Sequence, residues 1–337
     1  MTTISETSTP ATTDSQTSAP TSAAPAQRRS YLPAKSTDRR PVTDPEATLR
    51  EQLDDQRYLD MRTDMGLQYV DGLRIPSYGD MSVPGYRMVP VNVAREYGLA
   101  GLTEGEDPLE EIEIDEPTTE PVGAVDGNSV PTFVEGIRGQ HLFDILNATL
   151  LAQLAANAKF DREQDPINWT RFYGKVLENV GFVVPEFSFF GLRSKDARFS
   201  MDQAVLKVIA AILTPTQVEL AKASFDALQS LRSDDRRLQI FRRNSSDNRS
   251  GNFQISSVGE SSAGIVSLKL NAFFFKTDEQ VTDVLWFKFR SASTTLQATR
   301  TTLVLNDQVY DRLRQSILDK LGNRGLNFIG GLELSDV

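Results

Sequence analysis

The stretch from Gly264 to Gly322 switches its hydrophobic period, and that switch limits the fold more than any other feature of the chain. Val266, Leu268, Leu270, Ala272 and Phe274 fall two residues apart, so they share one face of a β-strand. Leu285, Phe287 and Phe289 repeat the spacing and predict a second strand, with Lys288 and Arg290 turned away. The hydroxyl-rich run from Ser291 to Thr302 predicts a third strand whose hydroxyls face water. Beyond Asn306 the period becomes helical, with Val309, Leu313, Ile317 and Leu321 in one stripe. Asn306 suits the N-cap, Asp307 the positive end of the helix dipole, and Gly322 the C-terminal stop. A sheet face and a helix stripe each need cover, and each can supply the other's. The expected class is α+β: a helical first part of the domain, then a small antiparallel sheet covered by the C-terminal helix. A long disordered or extended region precedes it.

Three regions follow from the pattern. Residues 1–43 form a leader built largely from Ser, Thr, Ala and Pro, which buries too little apolar area to offset its ordering entropy. Residues 44–129 hold a marginal helix opened by Asp44-Pro45-Glu46, then an extended stretch and an acidic linker. In the linker Glu110, Glu111, Glu113, Asp115 and Glu116 flank Ile112 and Ile114. Residues 130–337 form the domain. Its helices are expected from Phe133 to Ala158, from Asp165-Pro166 to Gly181, from a Ser200/Gln203 capping box to Leu213, and from Thr214-Pro215 to Leu231. A strand from Phe182 to Phe190 is interrupted by Pro185, Arg242 to Gly251 reads as a polar loop, and Asn252 to Val258 as a strand.

The formal net charge of −10 argues against a protein that coats nucleic acid. The absence of cysteine excludes disulfides, thiolate zinc sites and catalytic thiols. The N-terminus lacks the pattern of a secretory signal, and no apolar run reaches the roughly 20 residues of a membrane-spanning helix. The expectation is a protein soluble in the cytoplasm when made, with export only by a route that needs no signal peptide.

Candidate chemistry is sparse. His141 is the only histidine, and Asp144 lies three residues on, on the same helical face. No Gly-x-Ser-x-Gly elbow accompanies them, so His141 reads as a packed or surface residue rather than a catalytic base. No metal-ligand spacing or phosphate-binding glycine motif occurs, and no cofactor is expected. Glu178, Glu186, Asp202 and Asp226 are carboxylates that an acid–base hydrolase could use, with nothing to select a pair. The sequons at Asn147, Asn168, Asn244 and Asn248 read as accidental. The dense basic zone offers Arg236, Arg237, Arg242 and Arg243 as an anion- or lipid-binding candidate, or as a resting place for the acidic linker. The leading functional expectation is a non-catalytic interaction protein: a cargo, effector or accessory component of a larger bacterial assembly, meeting a protein partner through its N-terminal region. The alternatives are a membrane-active, pore-forming-like toxin or virulence factor acting on anionic lipid, and a hydrolase with an unmarked carboxylate site.

Overall fold

The computed structural model describes residues 42–76, 109, 112–192 and 198–334, which belong to a compact unit running from Pro41 to Val337. Residues 1–41 of the leader, and residues 77–111 apart from Leu109, lie outside the described residues. Asp44 caps helix α1, Pro45–Leu53, by accepting from the N–H groups of Glu46 and Ala47. Asp55 does the same for α2, Gln56–Gly72. These helices do not stand apart: Leu49 is buried with Val183 and Val304, and Leu59, Val70 and Leu73 join the main core.

Strands β1, Val122–Asp126, and β2, Ser129–Phe133, form a hairpin where the sequence suggested a linker and a helix start. Gly127 and Asn128 make its two-residue turn, and Gly127 takes φ +56, which costs glycine little. The sequence boundary at 130 therefore falls inside this hairpin. Helix α3 spans Gly139–Asn157 and α4 spans Pro166–Asn179. Short strands β3, Phe182–Val183, and β4, Phe189–Leu192, split the single strand expected around Pro185. Strand β5, Phe199–Ser200, leads into α5, Met201–Ile209, whose expected Ser200 side-chain cap does not form. Thr214 and Gln217 do make a capping box at the start of α6, Pro215–Ser230.

The expected polar loop from Arg242 to Gly251 is instead the last turn of helix α7, Arg236–Ser245, then β6, Ser246–Asp247, and a turn into the next strand. Helix α7 itself was not expected: its buried Leu238, Ile240 and Phe241, just before that loop, give a short amphipathic face that the surrounding arginines mask. Strands β7, Ser250–Glu260, and β8, Val266–Lys276, are long and directly paired. Leu285 lies in a 3₁₀ turn, Val284–Trp286, and only β9, Lys288–Phe289, remains of the expected strand there. Strand β10, Thr295–Leu305, is followed by α8, Asp307–Leu321, capped by Asn306 as expected. The chain continues through α9, Gly325–Phe328, into β11, Ile329–Leu332.

The fold is α+β. Among the described residues the main sheet has nine strands, in the order β11-β1-β2-β7-β8-β10-β3, with β4 also on β10 and β6 also on β7; β5 and β9 pair separately. It is mixed rather than purely antiparallel, because β2 runs parallel to β7. It is also covered twice. Helices α2, α3, α4 and α8 share one core with Val258, Leu268, Leu270, Leu303 and Leu305. Helices α5, α6 and α7 share a second with Phe253, Ile255, Phe273, Phe275, Leu296 and Ala298. Along each long strand the apolar side thus changes face about halfway. Residues two apart share a face, so Val266, Leu268 and Leu270 feed the first core, whereas Phe273 and Phe275 feed the second.

Candidate functional site

The four candidate arginines of α7 do not converge on one anion site. Asp235 caps the helix by accepting from the Arg237 N–H at 2.8 Å, which sets both leading arginines beside the sheet edge. Arg237 donates from Nε and Nη2 to Asp235 at 3.1 and 2.9 Å, and from Nη1 to the Gly331 carbonyl at 3.1 Å. Burial works against the Asp235 charge, but the hydrogen bonds from Arg237 outweigh it and hold that carboxyl below its usual range. Arg236 donates from Nη2 to the Ile329 carbonyl at 3.0 Å. Farther along, Arg242 pairs with Asp283, and the Arg243 carbonyl accepts from Arg162 Nη2 at 3.0 Å. The pairs split by direction: Arg236 and Arg237 guard β11, while Arg242 ties α7 to the loop before β9.

Beside that edge lies a groove of about 600 Å³ between α6, α7 and β11. Leu231, Leu332, Ala223 and Ala227 give it apolar surface, and Lys222, Glu219, Asp226, Glu333 and Arg237 give it charges of both signs. Asp226 is the one hydrolase candidate found there. Glu178 ends α4, Asp202 opens α5, and Glu186 lies between β3 and β4, so the four carboxylates sit on separate elements.

The linker segment that is described, from Ile112 to Glu120, is ordered against α3. The Ile114 and Glu116 carbonyls accept from the N–H groups of Gln140 and Gly139 at 2.7 and 3.2 Å. They satisfy helix donors that no side chain caps. A side chain at Gly139 would run into the Glu113 carbonyl, which accounts for glycine there.

His141 meets a partner that its sequence neighbourhood does not suggest. Its Nδ1 lies 2.8 Å from Glu260 Oε2, at the end of β7, and Arg138 Nε donates to Glu260 Oε1 at 2.9 Å. Burial would raise the Glu260 carboxyl, but hydrogen bonds from His141 and Arg138 prevail and keep it below its ordinary value. Asp144 is bound instead by Arg314 of α8, through Nε at 2.8 Å and Nη2 at 2.9 Å. The same-face pair read from the spacing is therefore two separate helix ties.

The third polar feature had no single-residue signal. Asp126, Ser129, Gln254, Ala272 and Thr299 stand opposite one another across five strands. Asp126 is fully buried; Thr149 Oγ1 donates to its Oδ2 at 2.6 Å and Gln153 Nε2 at 3.1 Å. Its Oδ1 has no protein partner, and the same holds for the buried Tyr173 hydroxyl and the Gln254 amide. Burial pushes the Asp126 carboxyl up to about 8 and the Tyr173 hydroxyl well above its ordinary range. The run of buried hydroxyls reaches β10: Thr299 and Thr301 face this interior rather than water. Among the described residues, no three His, Cys, Asp or Glu side chains gather as a metal site, and no helix is long and apolar enough to cross a membrane.

No protein family and no curated protein matches the chain. Among solved structures, one described as a delta-endotoxin is 14% identical with a TM-score of 0.34, covering 53% of this chain and 81% of its own. Another, described as the structure of the Evf virulence factor, is 11% identical with a TM-score of 0.29, covering 67% of this chain and 88% of its own. Likeness at this level carries no argument about activity.

Proposed function

We propose that the chain is a non-catalytic interaction protein that holds a partner polypeptide in the groove between α6, α7 and β11. The observation that carries this reading is the groove itself, about 600 Å³ with both apolar and charged lining residues, set beside the last strand of the sheet. Apolar lining supplies affinity, and a few fixed polar groups supply orientation. The α1–α2 segment, a candidate for folding on a partner, instead buries Leu49, Leu59 and Val70 in its own chain, which leaves the groove as the better surface. Selection of a random peptide library on the immobilised protein tests the reading. Enriched peptides should bind the parent and lose about tenfold or more in affinity on Ala223→Trp, which fills the groove, about 1.4 kcal/mol at least. Thermal melting should not change. A library with no enriched sequence, or peptides indifferent to Ala223→Trp, would end it.

A second reading, membrane activity, draws on one observation. Strands β7, β8 and β10 have 11 residues each, near the roughly 9–11 that cross a bilayer as tilted strands. The apolar side of each strand changes face at mid-length, so no continuous lipid-facing row exists in this arrangement. Dye release from anionic liposomes at protein concentrations that bind them would favour this reading over the first.

A further inference from the structure

We infer that the buried polar row of the main sheet is a binding site for a small cluster of water molecules, enclosed under α3 and α4 and cut off from bulk solvent. The inference is independent of the groove. Asp126, Ser129, Gln254, Ala272 and Thr299 stand in register across β1, β2, β7, β8 and β10. Gln254, Ala272 and Thr299 lie an even number of residues from Val258, Leu270 and Leu303 of the first core, so the row faces the same helices. It occupies the half of that face from which the apolar side chains have turned away. Thr149 and Gln153 of α3 reach the row at Asp126. Tyr173 of α4 closes in on the same carboxyl: burial raises its hydroxyl, and the nearness of Asp126 adds to this.

Asp126, Tyr173, Asn252 and Gln254 are 0% exposed and Thr299 is 1% exposed. Yet Asp126 Oδ1, the Tyr173 hydroxyl, Asn252 Oδ1, both ends of the Gln254 amide and Thr299 Oγ1 have no hydrogen-bond partner among the described residues. Buried polar groups are almost always paired, so a run of them on one face points to an occupant. They do not serve one another along the row. Ser129 and Ala272 alternate with the longer side chains, so Asp126, Gln254 and Thr299 stand about 10 Å apart at the backbone, two interstrand spacings, and the short side chains leave room between them. The chemistry selects the occupant. The Tyr173 hydroxyl and Gln254 Nε2 are donors, Gln254 Oε1 and Asn252 Oδ1 are acceptors, and the Thr299 hydroxyl is both. A cation would satisfy only the acceptors, an anion only the donors, and an apolar molecule neither. Water both donates and accepts, and interior sites with a few polar partners hold it. Asp126 joins as a donor. Its Oδ2 already accepts from Thr149 and Gln153, so the proton it keeps sits on Oδ1 and points to the cluster. A few enclosed waters complete its hydrogen bonds without a counter-charge, so the carboxyl still stays neutral.

The test compares the full chain with Ala272→Val, which fills the room beside Gln254 and removes no polar atom. Oxygen-17 magnetic relaxation dispersion counts the waters that a protein holds for longer than it takes to tumble. Its amplitude should fall in the variant by the share of at least one water, and should fall likewise in Gln254→Leu, which removes two of the site's partners. NMR on the parent chain gives an independent reading. The Gln254 side-chain amide protons should show cross-relaxation with water, of the sign that a long-lived site produces. No such cross-relaxation in the folded parent overturns the proposal even if neither variant folds, and so does an unchanged dispersion amplitude in folded variants. Replacing sodium and potassium by tetramethylammonium should leave both readings as they are. A change on that replacement would assign a cation in place of water and overturn the proposal as well.

Discussion

Asp126 and Asp144 are both buried carboxylates that contact α3 chemistry, and the protein treats them in opposite ways. Asp144 receives a two-pronged guanidinium from Arg314 and a third hydrogen bond from Gln140. Asp126 receives only Thr149 and Gln153, and one of its oxygens has no protein partner. The first site sets a cation against its carboxyl, and the Arg314 guanidinium is raised further above its ordinary value, chiefly by its hydrogen bonds to Asp144. The second sheds its charge by keeping a proton, because no cation offsets the desolvation. Burial alone does not decide the state of a carboxylate; the neighbours reached through the fold do.

The comparison breaks most visibly if its cation is removed. Arg314→Met should cost about 3–5 kcal/mol, because Asp144 would be left buried and unpaired. Denaturant unfolding at neutral pH measures this, and a loss below about 1 kcal/mol would mean that the Arg314–Asp144 contact contributes no more than an exposed pair.

Asp126→Asn should show the opposite sign, and the effect should grow with pH. The folded carboxyl is raised to about 8 from 3.8, so the stability it contributes is fully present below pH 3.8 and is lost as pH rises to about 8. Between those limits the difference between variant and parent should grow in favour of the variant, with a limiting slope of about 1.4 kcal/mol per pH unit, and level off above. Subtracting the two unfolding curves removes every titration they share. A flat difference from pH 5 to 9 would show that Asp126 is already ionised or solvated.

The smallest change sharpens the second half of the comparison. Thr149→Val removes the 2.6 Å donor to Asp126 Oδ2 with little change in shape, at a cost of about 1–3 kcal/mol. That donor lowers the carboxyl against the larger effect of burial, so its loss should move the Asp126 titration higher still. The carboxyl carbon shift followed by NMR across pH reads this directly. A downward move would mean that Thr149 acts by excluding water rather than by donating.

Neither carboxylate's state could be read beforehand, although parts of the fold around them could. Asp126-Gly127-Asn128 is a hairpin-turn signal between two short β-prone runs, and it was legible; proximity to the acidic segment hid it. Helix α7 was less legible, since six charged or amide side chains dilute its apolar face. The arginines are dense in the sequence, but density does not tell which guanidinium reaches which carbonyl. The proximity of Arg237 to Gly331 depends on residues 94 apart.

By itself the sequence determined those features whose physics acts within a few residues. The Val266-Leu268-Leu270 alternation in the first half of β8, the Val309-Leu313-Ile317-Leu321 stripe of α8, and the caps at Asp44, Asn306 and Thr214 all depend on local period and nearby hydrogen bonds. Only the tertiary structure decided that the sheet is mixed and covered on both faces, that Thr299 turns inward, and that His141 pairs with Glu260 across 119 positions while Asp144 pairs with Arg314 across 170. Strand pairing and charge pairing are set by which distant surfaces the collapse brings together, and a periodic pattern records only that a face is buried, not what buries it.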